Sequence, residues 1–126
     1  VSNNDVLIVE DDIALRYILG ISLESIGCSV RVAETGLAAM KAISTQIPNL
    51  IVLDVSLPDT DAFDIVRRLR KDPRFESISL IIHTTFDLTS SEQADLKLGK
   101  TEFVTKTHRC GKEFLKLVQQ MIDSQD

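Results

Sequence analysis

At 126 residues, 44% hydrophobic and 26% charged, the chain has the makings of one compact domain (1–126), and its composition excludes intrinsic disorder. A formal net charge of −5 argues against binding of nucleic acid or an anionic membrane by this domain alone. No apolar stretch nears the roughly 20 residues that span a bilayer and no signal-peptide pattern is present, so a cytoplasmic protein is expected. Cys28 and Cys110 lie far apart, outside any CxxC or Cys/His pattern, and read as reduced thiols. Val1 stands where an initiator Met would, which implies a processed product or a domain excised from a longer protein.

The run Val6-Leu7-Ile8-Val9 predicts a strand buried on both faces, and it ends in Glu10-Asp11-Asp12. A helix over 13–26 follows, with Gly27 as its C′ residue. Ser29-Val30-Arg31-Val32 alternates, as an edge strand with one wet side does. Thr35-Gly36 opens a second helix, whose core residues are expected at Leu37, Met40 and Ile43, and which ends before Pro48. Leu50-Ile51-Val52-Leu53 is a third strand, closed by Asp54. Phe63, Val66 and Leu69 stripe a third helix, with Arg67, Arg68 and Lys71 on its other face. A fourth strand, 78–82, leads to Thr84. The fourth helix has overlapping capping boxes, Thr89-x-x-Glu92 and Ser90-x-x-Gln93, and a stop at Gly99. With only Leu88, Ala94 and Leu98 to bury, it should be the most mobile element. Phe103-Val104-Thr105 is a short fifth strand before Lys106, and Phe114, Leu117 and Met121 stripe the last helix.

Regular β-α alternation implies parallel strands, right-handed crossovers and helices on both faces. Ligands bind such sheets at the carboxyl ends of the strands, where Glu10, Asp11 and Asp54 fall. Converging carboxylates are costly unless a cation joins them, and a hard divalent ion such as Mg²⁺ suits an all-oxygen set. Each residue alone is uninformative: Asp54 could simply begin a turn before Pro58. Together with Thr84 and Lys106 they assemble a nucleophile, a metal site, a hydroxyl donor and an ammonium, which is what phosphoryl transfer to a carboxylate requires.

The segments 6–12, Asp54-x-x-Leu57-Pro58-x-x-Asp61, the strand ending in Thr84, and Phe103-Val104-Thr105-Lys106 together resemble the receiver domain of bacterial two-component response regulators. The resemblance runs over essentially the whole chain and the intervals fit. It implies a doubly wound, flavodoxin-like (β/α)5 sheet of order 2-1-3-4-5. It also implies that Asp54 accepts a phosphoryl group from a phosphohistidine of a sensor kinase or histidine phosphotransfer protein. On that reading the Ser56 backbone carbonyl joins Glu10, Asp11 and Asp54 as a Mg²⁺ ligand. Thr84 and Phe103 form the switch, read at the face of the fourth helix, fifth strand and fifth helix by an effector domain, a partner protein or a phosphorylation-dependent homodimer. The domain is then a signalling switch that assists its own phosphorylation and dephosphorylation, and not a metabolic enzyme.

Three positions depart from the family pattern. Thr107 replaces the usual Pro, where a cis bond costs about 2.5–4 kcal/mol without Pro, so the aim of Lys106 stays open. Ala62 stands for the usual Gly and Lys100 for a small residue. The alternative is a pseudo-receiver, an interaction module that never turns over phosphate. An aspartyl phosphatase is disfavoured by Ser56 in place of its second acid, and a flavin site by the acidic Glu10-Asp11-Asp12. Ser56 and Phe86 flank the expected phosphoryl position and bear on access of hydrolytic water. His83 reads as a packed strand residue and His108 as a loop residue, and the 67–71 basic run as a solvated helix face.

Overall fold

Five short segments become the strands of one parallel sheet: β1 (Asp5–Val9), β2 (Ser29–Ala33), β3 (Leu50–Asp54), β4 (Ser79–Thr84) and β5 (Thr101–Thr105), in the order β2-β1-β3-β4-β5. The computed structural model describes residues 4–84, 87–105 and 111–123. Among these, the connections are α1 (Ile13–Glu24), α2 (Gly36–Thr45), α3 (Ala62–Arg70), α4 (Ser90–Asp95) and α5 (Lys112–Asp123), with a 3₁₀ turn at Pro73–Phe75. Side chains alternate across the sheet. Leu7, Val9, Ile51, Leu53, Leu80 and Ile82 join a core layer under α2 and α3, while Val6, Ile8, Leu50, Val52 and Ile81 join one under α1 and α5. A strand buried on both faces needs apolar residues at successive positions, which is why the runs in β1, β3 and β4 are unbroken.

The helix boundaries follow from local chemistry. Asp12 caps α1 by accepting from the Leu15 N–H at 3.1 Å, which gives Asp12 a role apart from its acidic neighbours. The chain leaves α1 through a Schellman motif: Cys28 N–H donates to Leu23 O (3.1 Å), Gly27 N–H to Glu24 O (3.0 Å), and Gly27 sits at φ 91° as the expected C′ residue. Cys28 itself is a buried free thiol, and burial pushes its pKa up, which keeps it protonated and unreactive. At the β2 edge Arg31 is only half exposed. Its guanidinium donates to both Asp5 carboxylate oxygens (3.2 and 3.1 Å) and to the Ala42 and Gln46 carbonyls (2.9 and 2.7 Å) at the end of α2.

Three sequence expectations are corrected. Leu37 is 77% exposed, and α2 buries Gly36, Ala39 and Ile43 instead, with Gly36 against Thr60. α4 ends at Asp95, four residues before Gly99, because Leu96 leaves the helical path (ψ 1°) to bury itself completely in the core. Ala94 is exposed, and Leu88 and Leu98 are only partly buried. Gly99 serves close approach rather than helix termination: a Cβ there would lie 2.6 Å from the Ile78 carbonyl oxygen.

α4 buries none of its six residues. It is held at its start by the Thr89/Glu92 capping box, with bonds of 3.1 and 2.9 Å. At its end Arg70 of α3 donates through Nε to Lys97 O (2.7 Å) and through Nη2 to Ala94 O (2.9 Å) and Lys97 O. Arg70→Ala is therefore expected to speed amide exchange across α4 while costing only about 1 kcal/mol of global stability. Exchange in α4 unchanged from wild type would show that Arg70 does not hold it.

Candidate functional site

Parallel pairing sets which side chains meet at the carboxyl edge of the sheet. Val9 of β1 lies opposite Leu53 of β3, so Glu10 and Asp54 arrive there side by side. Asp54 is opposite His83 of β4, and Thr84 ends β4 opposite Thr105. One carboxylate oxygen from each of Glu10, Asp11 and Asp54 lies within 4.8 Å of the others. Glu10 is 2% and Asp54 7% exposed, while Asp11 reaches solvent. Glu10 Oε2 also accepts from the Asp12 N–H at 3.3 Å, which orients that carboxylate. Two buried acids and one exposed acid, at ligand spacing and with oxygen donors only, fit a hard divalent cation that enters from the Asp11 side.

Beyond Asp54 the chain folds into a small hairpin over 55–62. Ala62 N–H donates to Val55 O (2.9 Å), Ser56 and Asp61 form an antiparallel bridge, and Leu57 N–H donates to Thr60 O (3.0 Å), leaving Pro58 and Asp59 at the tip. Ala62 opens α3 here, and the hairpin stem is formed without a Gly at that position. Asp61 caps α3 through the Asp64 N–H at 3.0 Å. Asp59 has a role that the sequence does not reveal: its two oxygens accept from the Gly36 and Leu37 N–H groups of α2, at 2.8 and 3.0 Å. The bond from Gly36, then that from Leu37, holds the Asp59 carboxyl below its usual pKa. An acid at a turn tip is common, and nothing local in the sequence says which helix it reaches.

Thr84 is buried at the end of β4, and a cavity of about 150 Å³ lies between it and half-buried Phe103, bordered also by Leu88 and Gln93. His83 is 1% exposed and packs on Phe114 with ring centroids 6.0 Å apart, a core neighbour as expected. The basic run is engaged within the domain: Arg67 and Arg68 pair with Asp64, and Arg70 spans to α4. Lys106, Thr107, His108, Cys110 and Phe86 lie outside the described residues.

The model of the response regulator receiver domain family matches residues 6–120. A 14.6 kDa protein in the sodA1 3′ region of Leptolyngbya boryana is 34% identical over 116 residues, covering 92% of this chain and 88% of that protein. The KDP operon transcriptional regulatory protein KdpE of Escherichia coli K12 is 34% identical over 107 residues, 85% of this chain, which spans only 46% of KdpE. Among solved structures, the receiver domain of sensor histidine kinase PA1611 from Pseudomonas aeruginosa PAO1, with a magnesium ion in its active site cleft, shares the fold. Its TM-score is 0.82 over 95% of this chain and 98% of that one, at 22% identity. The 2-1-3-4-5 sheet, the acidic cluster at its carboxyl edge and the family match over residues 6–120 lead to one conclusion: this chain belongs to the response regulator receiver domain family and is a phosphorylation-controlled signalling switch.

Proposed function

We propose that Asp54 is the phosphoryl acceptor, with Glu10 and Asp11 as its metal-holding partners and Thr84 and Lys106 as its charge-compensating ones. The observation that carries this reading is the convergence of three carboxylates within 4.8 Å, two of them buried, at the edge where β1, β3 and β4 end. Glu10, Asp11, Asp54 and the Ser56 carbonyl would hold Mg²⁺, which supplies charge compensation to the equatorial phosphoryl oxygens. An Asp54 carboxylate oxygen attacks phosphorus in line; the P–N bond to the imidazole of a phosphohistidine breaks, and the imidazole leaves with the electron pair. Thr84 donates its hydroxyl hydrogen to a phosphoryl oxygen. Lys106, the residue after β5 in sequence, offers a positive charge to another.

Donor and readout follow from the same assignment. A sensor histidine kinase or a histidine phosphotransfer protein supplies the phosphoryl group, in the cytoplasm where such donors present their phosphohistidine. As Thr84 turns toward the phosphoryl oxygens, the cavity it shares with Phe103 receives the ring, which lacks the hydroxyl that would favour solvent. The face of α4, β5 and α5 then changes, and an effector domain, a partner protein or a second copy of the chain reads it. No described helix is long and apolar enough to cross a membrane.

The deciding experiment is incubation of the chain with Mg²⁺ and acetyl phosphate. An acid-stable, base-labile phosphate that forms only with Mg²⁺ is the expected product. A wild type that binds Mg²⁺ but takes up no phosphate would instead be a pseudo-receiver.

A further inference from the structure

The hairpin over 55–62 is fastened to α2 by groups that the phosphoryl chemistry does not use. The Asp59 carboxylate takes the Gly36 and Leu37 N–H groups, Thr35 Oγ1 accepts from Ala38 N–H (3.0 Å), and Thr35 O accepts from Ala39 N–H (3.0 Å). The four opening N–H groups of this ten-residue helix are all satisfied, two of them by a residue from another element. Gly36 is part of the same seat, since a Cβ there would overlap Thr60 Cγ2. Leu57 packs the stem of the hairpin against the core, while Asp59 and Thr60 border a hollow of about 490 Å³ shared with Met40 of α2 and Ile65 and Arg68 of α3. The tip is tied to α2 by the two Asp59 carboxylate hydrogen bonds and to α3 by the Thr60 hydroxyl, which donates to the Asp64 carboxylate at 3.0 Å.

The hairpin thus has a base fixed by β3, a return strand fixed by the Asp61 cap on α3, and a tip fixed by Asp59 on α2. Ser56 sits in the stem between base and tip. We propose that Asp59 is a positioning residue for the metal site: by docking the hairpin tip on α2, it sets where the Ser56 carbonyl stands relative to Asp54 and so tunes Mg²⁺ affinity. This rests on the reading above in which the Ser56 carbonyl is a metal ligand. Outer partners that orient a metal ligand typically change affinity by roughly 10–100-fold. Asp59 acts through backbone rather than on the ligand atom, so a smaller effect is expected.

The test is calorimetric titration of Mg²⁺ into wild type, Asp59→Ala, Asp59→Asn and Gly36→Ala, with thermal melts and amide exchange of residues 36 and 37 on each. Asp59→Ala should raise the Kd for Mg²⁺ by roughly threefold to tenfold while the protein stays folded. Gly36→Ala, which unseats the tip without removing a charge, should do the same. Asp59→Asn should recover part of the loss, since its side-chain carbonyl can still accept. Faster exchange at residues 36 and 37 together with an unchanged Kd would reduce Asp59 to a helix cap and overturn the proposal. A wild type that binds no Mg²⁺ would overturn the metal reading itself, and is distinct from wild type and variants that bind equally.

Discussion

Asp54→Asn is expected to abolish phosphoryl uptake from acetyl phosphate and, in metal-free protein, to raise the melting temperature. The two effects have one origin. Asp54 is buried, and its carboxylate shares a space 4.8 Å across with those of Glu10 and Asp11, so removing one negative charge relieves repulsion between like groups. At an effective dielectric near 20 each such pair costs a few kcal/mol before solvent and neighbouring groups offset it, and a net gain of roughly 1–2 kcal/mol is expected. Adding Mg²⁺ should reverse the ranking, since the wild type gains about 1.4 kcal/mol for each tenfold excess of metal over Kd and the variant, having lost a ligand charge, gains less. Melts with and without Mg²⁺, alongside a base-labile phosphate assay, read both effects. Phosphate retained by Asp54→Asn would move the acceptor elsewhere. A lower metal-free melting temperature would show that the hydrogen bonds and packing of the Asp54 carboxylate outweigh its repulsion from Glu10 and Asp11.

The other large effect lies away from the chemistry. Leu96→Ala should destabilise the domain by about 2–5 kcal/mol, the range for a fully buried leucine whose cavity cannot collapse. Leu96 has no exposed surface and belongs to the core layer under α2 and α3, yet it comes from a segment whose helix buries nothing. Against a typical total of about 5–15 kcal/mol this is a large fraction. A urea midpoint close to wild type would mean that α4 and its exit close over the gap. Ala94→Ser, on the exposed side of the same helix, is the matched control and should change little.

Residues whose role is set by their own strand or their own turn are legible in the sequence. β1 and β3 announce themselves by unbroken apolar runs, and the acids that end them have only one edge to reach once the sheet is parallel. Gly27 as C′, Thr35 at the start of α2 and Thr89/Glu92 as a capping box are local chemistry, and the structure has all three. What sequence patterns do not show is contact between distant elements. Leu37 has the right spacing for a core residue, but α2 turns Gly36, Ala39 and Ile43 inward and leaves Leu37 to solvent. Gly99 looks like a helix stop because its partner, the Ile78 carbonyl, is set by how the chain re-enters β5. Asp59 from the hairpin tip and Arg70 from α3 each serve a helix to which they do not belong, and no periodicity encodes that.

The two ends of α2 carry opposite guests. At its start sits the carboxylate of Asp59; at its finish, the guanidinium of Arg31 takes the Ala42 and Gln46 carbonyls while paired to Asp5. That is the sense its dipole favours, anion at the amino end and cation at the carboxyl end. Ten residues make a strut of about 15 Å, joining the carboxyl edge of the sheet, where the acids converge, to the amino edge, where Asp5 begins β1. Packed through Ala39 and Ile43 between two ends bolted by charge, α2 has a seating that responds to the ionic strength of its surroundings at its ends and not along its middle.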